Sequence, residues 1–301
     1  MTSPPSKITG VETALTGAGV ANGDPGSGGS LPTLGPIPHA ARALGLEPHD
    51  YQVWIRTFGR LRVYIDYREV PPSAWPYPKV QSLLRFLLLR EGFVPVEEVF
   101  DAIWANLPPA RARQNFSVAL HHLRRLLEPH KRKHHDSRLL IYQDQQVRIN
   151  HSLILVDRVL FQRLSRETTT VGPDDPRYRE YLARMVSLYA GPLYEDEPYQ
   201  EWCVRERERL EQTYLLARAE LARDALHSGS YMACVRHCEE ALDRDPLNEP
   251  FHLMLMEAHR AMGHRARALA HYHDLRKLLA EELGVEPSSK IKRLYEETLN
   301  D

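Results

Sequence analysis

The residues that could do chemistry in this 301-residue chain cluster in the segment 109–127, where hydrogen-bond donors recur at helical spacing. Arginine, glutamine, serine and histidine side chains share one side of the helical wheel, and no carboxylate occurs before Glu128. Arginine can bond guanine O6 and N7, and glutamine can bond adenine N6 and N7, so such a face fits the major groove of DNA. Flanking basic groups would hold phosphates. The candidate DNA contacts are Arg111, Arg113, Gln114, Ser117, His121, His122, Arg124, Arg125, Lys131, Arg132 and Lys133.

The elements around this segment predict a winged helix-turn-helix domain over residues 51–157. Alternating apolar residues from Tyr51 predict two or three short strands, and an amphipathic helix follows and ends near Gly92. A shorter helix precedes a Pro-Pro turn, the long helix comes next, and two strand-like pieces joined by "QDQQ" close the segment. A short helix, a tight turn and a longer helix are the parts of a helix-turn-helix, and a trailing hairpin supplies the wing.

The rest of the chain is almost wholly helical by pattern. Gly229 and Gly263, each followed by an apolar helix face, lie 34 residues apart, which is the tetratricopeptide period. The predicted fold is therefore mainly α with two domains: an α+β winged helix-turn-helix and an all-α tetratricopeptide-like repeat. The predicted boundaries are a flexible segment at 1–50, the winged helix at 51–157, a linker at 158–169 and the repeat domain at 170–301.

Charge separates the two predicted domains. Residues 51–157 hold 16 Lys+Arg against 10 Asp+Glu, whereas residues 158–301 hold 21 against 26. This asymmetry favours a polyanionic partner for the middle segment. No apolar run is long enough to cross a bilayer and no secretory signal is evident, so we expect a cytoplasmic protein without membrane contact. Basic residues on an exposed helix can also serve solubility alone, and only the helix-turn-helix context favours DNA contact.

The sequence contains no recognisable catalytic, cofactor or metal signature. The phosphate loop, the dinucleotide fingerprint, H-E-x-x-H and G-x-S-x-G are all missing, so we expect no enzyme, no catalytic residue and no cofactor. Five of the 15 histidines fall between His121 and His135, but a basic loop would repel a cation. Cys234, His237 and Cys238 are better explained as part of a helix that packs in a repeat. No metal site is expected.

The assembled motifs resemble the bacterial SARP-type regulators. The resemblance covers roughly residues 51–300 and is carried by "RTFGRLRVYIDYREVP", "KVQSLLRFLLL", "PPARARQNFSVALHHLRRLLEP", "LYAGPLYED" and, most specifically, "ALAHYHDLRKLLAEELGVEP". Those regulators join a winged helix to a bacterial transcriptional activation domain of tetratricopeptide-like helices. The resemblance implies that the helix Pro109 to Leu127 is the recognition helix. It also implies double-stranded DNA and RNA polymerase as partners, with a homodimer or side-by-side protomers on promoter repeats.

Two departures from the family's pattern qualify this expectation. The wing commonly carries a Gly-Tyr pair in the family, whereas this chain has "IYQDQQVRI". Larger members add an ATPase module after the activation domain, so we expect a short member here. The sequence predicts a sequence-specific transcriptional regulator, and the family resemblance implies that it is an activator. The alternative is a protein-interaction adaptor that uses the repeat groove, with the winged helix as a docking module.

Overall fold

The computed structural model describes residues 35–130 and 137–300. Most of the segment 1–50 and the basic loop that carries Lys131, Arg132 and Lys133 lie outside the described residues.

The predicted winged helix is present, with three helices between two small sheets. One sheet has the order β3-β2-β1-β7, in which β1 runs antiparallel to β2 and parallel to β7; the other has the antiparallel order β4-β6-β5. A common core of aliphatic and aromatic side chains joins the helices to both sheets. The elements are β1 (Val53–Arg56), β2 (Arg62–Ile65), β3 (Arg68–Glu69), α2 (Pro78–Leu88), β4 (Val94–Pro95), α3 (Val96–Trp104), α4 (Pro109–Leu127), β5 (Leu140–Gln143), β6 (Gln146–Ile149) and β7 (Ile154–Val156).

The wing forms a tight hairpin without glycine. Strands β5 and β6 pair in register from Leu140 with Ile149 to Gln143 with Gln146. The two turn residues, Asp144 and Gln145, have φ values of 49° and 58°. Positive φ at both central positions is the geometry of a type I′ turn, which matches the right-handed twist of paired strands. Aspartate tolerates this backbone better than most residues, so the hairpin closes despite the missing Gly-Tyr pair.

The segment 158–169, whose sequence predicts a linker, is helical. Helix α5 runs over Asp157–Val171 and begins directly after β7. It buries Leu160, Phe161 and Leu164, which lie on one helical face. Burial of three large apolar side chains contributes several kcal/mol, so this segment is a packed connection between the two parts.

The helical part contains six further helices in the described residues. Helices α8 and α10 begin 34 residues apart, at Tyr231 and Arg265. Gly229 and Gly263, which precede them, both have φ of 74°, a left-handed conformation that glycine adopts without strain. The predicted tetratricopeptide-like period is therefore confirmed. These helices are α6 (Pro176–Leu188), α7 (Glu201–His227), α8 (Tyr231–Leu242), α9 (Glu249–Ala261), α10 (Arg265–Glu282) and α11 (Ser289–Asn300).

A short helix precedes the winged helix. Helix α1 covers Ile37–Ala43 and buries Ile37, Ala40 and Ala41 completely. These residues belong to the core that also contains side chains of α5 and α6. Residues 37–43 lie within the segment 1–50 that the sequence predicts to be flexible, but they are part of the packed fold. None of the helices in the described ranges is long and apolar enough to span a membrane.

The two parts meet through a network of buried polar contacts. The Arg85 guanidinium of α2 donates to Asp196 (2.6 Å) and Glu197 (2.7 Å) in the loop after α6. The Tyr194 hydroxyl of the same loop donates to the Arg85 carbonyl at 3.1 Å. The Arg158 guanidinium of α5 donates to the Leu88 carbonyl at the end of α2, at 2.7 Å. Helix α2 is therefore bound by the helical part along its C-terminal half.

The junction between β7 and α5 is fixed by one buried carboxylate. Asp157 accepts hydrogen bonds from the Thr57 backbone (2.8 Å), the Thr57 hydroxyl (2.6 Å) and the Phe58 backbone (3.1 Å). Burial raises the pKa of Asp157, although these hydrogen bonds oppose the shift. The end of β1 is thereby tied to the start of α5.

A pair of histidines links α9 and α10. His252 Nε2 donates to the Pro246 carbonyl at 2.8 Å, so Nδ1 of the neutral ring accepts from His271 Nε2, also at 2.8 Å. Burial lowers the pKa of His252, and burial together with repulsion from His252 lowers the pKa of His271 to about 4. The folded state thus favours the neutral pair.

We expect the stability of the chain to fall on mild acidification because of this pair. The pKa of each ring is lower in the folded than in the unfolded chain, so the stabilisation is complete above about pH 6.5 and is lost as pH falls towards 4. Between pH 7 and 5, the free energy of unfolding should fall by about 1–2 kcal/mol from His271, whose ring is only partly buried. Denaturant unfolding at pH 7 and at pH 5 measures this change in the free energy of unfolding. His271→Gln should flatten the dependence and the exposed-site control His49→Gln should not; an equally steep curve in both variants would contradict the prediction.

Candidate nucleic-acid interface

The predicted recognition helix packs as its periodicity indicates. Helix α4 begins at Pro109, where a fixed φ and a missing N–H suit the first helical position. The side chain of Phe116 contacts the ring of Phe100 from α3, with centroids 5.8 Å apart. Helix α4 also packs along α2. Its buried residues are Ala112, Phe116, Ala119, Leu120, Leu123 and Leu127.

The opposite face of α4 is exposed and rich in donors. The Ser117 hydroxyl donates to the Arg113 carbonyl one turn earlier, at 2.9 Å, and leaves its lone pairs accessible. The single exposed apolar side chain on this face is Val118, at 44% exposure. Glu128, the first carboxylate after the helix, accepts from the backbone amides of Arg138 (2.9 Å) and Leu139 (3.3 Å) and is thereby engaged. The exposed candidate residues are Arg111, Arg113, Gln114, Ser117, His121 and Arg125.

Three of the sequence-predicted contacts are engaged with the protein itself. Arg124 is half-buried and donates through Nη2 (2.9 Å) and Nε (3.2 Å) to the Leu140 carbonyl of β5. His122 is half-buried beside Tyr77, with ring centroids 5.8 Å apart. Arg113, although exposed, reaches across to the wing. Arg124 and Arg113 therefore hold the wing in place relative to α4.

The wing turn is held by a network that starts from Arg113. Its guanidinium donates to the Gln145 side-chain oxygen, lies 3.7 Å from the Glu97 carboxylate, and sits over the Phe100 ring at 5.8 Å. The Gln145 carbonyl also accepts from the Val96 amide at 3.0 Å, so the turn is bonded to the start of α3 as well. These contacts join the wing, α3 and α4 into one surface.

We expect Arg113→Met to loosen the wing with little effect on overall stability. Methionine keeps contact with Phe100 but removes the donors to Gln145 and Glu97. The pair with Glu97 is exposed, so the free energy of unfolding should change by less than about 1 kcal/mol. Hydrogen exchange should show faster exchange of the wing amides at 144–147. Arg111→Met, on the same helix and without a wing contact, is the matched control; equal wing exchange in both variants would refute this role.

The structure adds side chains that the sequence did not single out. Tyr142 of β5 is 37% exposed on the wing, and its hydroxyl donates to Gln145 at 3.2 Å. Arg68 of β3 lines a cleft of about 800 Å³ beside α4 together with His122 and Arg125. Arg68 lies in the β2–β3 hairpin, and only the tertiary fold brings it beside Arg125, 57 residues later in the chain. Within the described ranges, no group of three or more potential metal-ligating side chains is assembled.

Comparison with known proteins places this architecture in a family. Residues 156–299 match the family model described as the bacterial transcriptional activator domain. Over 226 residues, which are 74% of this chain, the sequence is 30% identical to the Regulatory protein AfsR of Streptomyces griseus. Over 231 residues it is 28% identical to the Transcriptional regulatory protein MoaR1 of Mycobacterium tuberculosis. The chain belongs to the SARP-type regulators.

This SARP-type regulator aligns with different shares of its relatives. The alignment spans 22% of AfsR and 72% of MoaR1. A solved structure of Mycobacterium tuberculosis EmbR in complex with a low-affinity phosphopeptide has a TM-score of 0.64 at 22% identity, with 83% of this chain and 65% of that chain covered. That likeness concerns the fold, in which a winged helix precedes helical repeats. The family match begins at residue 156, so it includes all of α5.

Proposed function

We propose that this SARP-type regulator binds double-stranded DNA sequence-specifically and activates transcription. The observation that carries the proposal is the exposed face of α4, where two arginines, a glutamine, a serine and a histidine lie free of any carboxylate. Arginine and glutamine supply the bidentate bonds that distinguish guanine and adenine in the major groove. The residues proposed to read bases are Arg111, Gln114, Ser117, His121 and Arg125.

The phosphate contacts are proposed for the basic groups around that face. Lys131, Arg132 and Lys133 follow α4 in the sequence, and Arg68 lines the cleft beside it. Neutralised phosphates release counterions, so affinity should fall linearly with salt on a logarithmic scale. The wing tip carries Asp144 and no cation, which argues against a wing that binds phosphate through its turn.

Partner recruitment is assigned to the helical part. The match to the bacterial transcriptional activator domain supports RNA polymerase as the partner, and the family resemblance implies side-by-side protomers on repeated sites. In vitro transcription from a promoter that contains the selected site tests this step. Full-length chain should raise transcript yield severalfold, whereas unchanged or reduced yield would refute activation and leave DNA binding intact.

The DNA step is tested by selection of genomic fragments with the full chain, followed by titration of the best fragment at two salt concentrations. Enrichment of a short repeated motif, with affinity that falls as salt rises, supports the proposal. Weak binding without sequence preference would favour the adaptor alternative. An adaptor needs exposed apolar anchors, and Val118 alone is such an anchor on the described face of α4.

A further inference from the structure

A second cationic site lies where the winged helix meets α5. A cleft of about 430 Å³ is bounded by the end of β6, the turn that follows it and one face of α5. Arg148, Arg158 and Arg166 line it, and Glu91 is the single carboxylate among its lining residues. The volume lies in the range of small-molecule sites.

Three residues that line this cleft carry a buried side-chain polar atom without a hydrogen-bond partner. Arg148 Nε, Arg158 Nε and His151 Nδ1 are three of the six buried side-chain polar atoms that have no hydrogen-bond partner in the described residues. Arg158 as a whole is only 5% exposed. Buried polar groups are almost always bonded in native proteins, so three in one place indicate a site shaped for polar groups from outside the chain.

The arginines divide into one anchor and two available cations. Arg158 is held by the Leu88 carbonyl (2.7 Å), Gln162 (2.9 Å) and Glu206 (3.1 Å) and keeps its position at the base of the cleft. The Arg148 guanidinium lies over the Phe93 ring at 4.8 Å. Neither Arg148 nor the exposed Arg166 has an acceptor among the described residues. Their planar guanidinium groups are therefore free to bind an anion in a bidentate manner.

His151, which also lines this cleft, offers a hydrogen-bond acceptor, whereas the arginines offer donors. Its Nε2 donates to the Arg90 carbonyl at 3.1 Å, so Nδ1 of the neutral ring is an acceptor. Burial lowers the pKa of His151, and the positive charge of Arg158 adds to this shift while Glu91 opposes it, so the neutral form dominates near pH 7. An acceptor beside two cations matches a ligand that carries both an anionic group and a hydroxyl. Asn150 and Ser152 supply further donors and acceptors at the rim.

We propose that this cleft binds a small phosphorylated, hydroxyl-bearing metabolite, with its phosphate between Arg148 and Arg166 and a hydroxyl on His151. Arg158 is paired with Glu206, so Arg148 and Arg166 against Glu91 leave an excess of positive charge that suits a phosphate monoester, which carries close to two negative charges at neutral pH. The site contacts both parts of the chain, so occupancy would add contacts between them. The proposal is independent of the proposed DNA binding.

Calorimetric titration of the full chain tests the site. The probes are glycerol 3-phosphate, as a small phosphate monoester with hydroxyls, together with inorganic phosphate, glycerol and succinate. We expect glycerol 3-phosphate to bind more tightly than inorganic phosphate, and glycerol and succinate to bind at least tenfold more weakly than glycerol 3-phosphate. Succinate equal to glycerol 3-phosphate, or no binding of either phosphate at millimolar concentration, would overturn the proposal.

Substitutions of the arginines that line the cleft test whether glycerol 3-phosphate binds there. Arg148→Gln combined with Arg166→Gln should weaken glycerol 3-phosphate at least tenfold, while Arg236→Gln on α8, which removes a charge elsewhere, should not change it. Arg125→Gln should also leave it unchanged, which separates this site from the α4 face. Unchanged affinity in the double variant, or equal loss in a control, would refute the assignment. Circular dichroism and melting curves confirm that each variant is folded.

Discussion

Replacing Arg85 with methionine is expected to lower the free energy of unfolding by about 3 kcal/mol, because it leaves two carboxylates facing each other without their cation. The Arg85 side chain is 2% exposed, whereas Asp196 and Glu197 retain 30% and 18% exposure. Water therefore relieves part of the penalty, which places the expected loss at the lower end of the range for a broken buried ion pair. Denaturant unfolding of the full chain measures it.

A surface arginine of the same region provides the matched control. Arg90 lies 3.0 Å from Glu98, but both side chains are substantially exposed. Arg90→Met should therefore cost less than about 1 kcal/mol. Adding Asp196→Asn and Glu197→Gln to Arg85→Met should restore part of the lost stability, since the uncompensated charge is removed. If Arg85→Met were no more destabilising than Arg90→Met, the contact between the two parts would not depend on this ion pair.

The Arg85 contact also shows what sequence could not foresee. Arg85 interrupts the most apolar run of the chain, and its partners follow 111 and 112 residues later. Periodicity places a side chain on a helical face, but it does not identify which distant segment covers that face. The sequence motif "LYAGPLYED" was recognised as part of a family resemblance, and only the structure shows that its acidic end binds α2.

Tertiary packing also explains why the sequence predicts a linker at 158–169, where the structure has helix α5. Leu160, Phe161 and Leu164 have helical spacing, so a local signal existed within 158–169. The polar residues that follow, including three consecutive threonines, made the segment resemble a linker. Packing against α6 decides the outcome, because tertiary burial outweighs weak local propensity.

The helical wheel predicts the buried face of α4 correctly, but it does not predict the contacts of the residues that flank the exposed face. The apolar face of α4 is buried as its helical periodicity indicates, since α4 is long and strongly periodic. The wheel could not show that Arg113 meets Gln145, 32 residues later, or that Arg124 meets Leu140, 16 residues later. Both contacts depend on where the wing folds back. Flanking residues of a helix face therefore need the structure before a role can be proposed for them.

Substitutions on the exposed α4 face should have the largest effect on DNA binding. Gln114→Ala and Arg125→Ala are each expected to weaken binding to the selected site by about 1–3 kcal/mol, or roughly 5- to 150-fold, if each side chain reads a base. Each change should also relax the preference at one base position. Repeated fragment selection with each variant gives the preference, and titration at fixed salt gives the affinity.

Gln114→Ala and Arg125→Ala should differ in their effect on the salt dependence of DNA binding, because only Arg125 is charged. Gln114 is neutral, so its removal should relax one base position and leave the salt dependence of binding unchanged. Arg125 carries a charge and lines the cleft with Arg68, so its removal should also make the salt dependence less steep if it contacts a phosphate. Arg236→Ala on α8 is the control for loss of charge away from this face, with affinity expected within twofold of the unmodified chain. Equal losses from Gln114→Ala on every DNA sequence would show that α4 contributes affinity without reading bases.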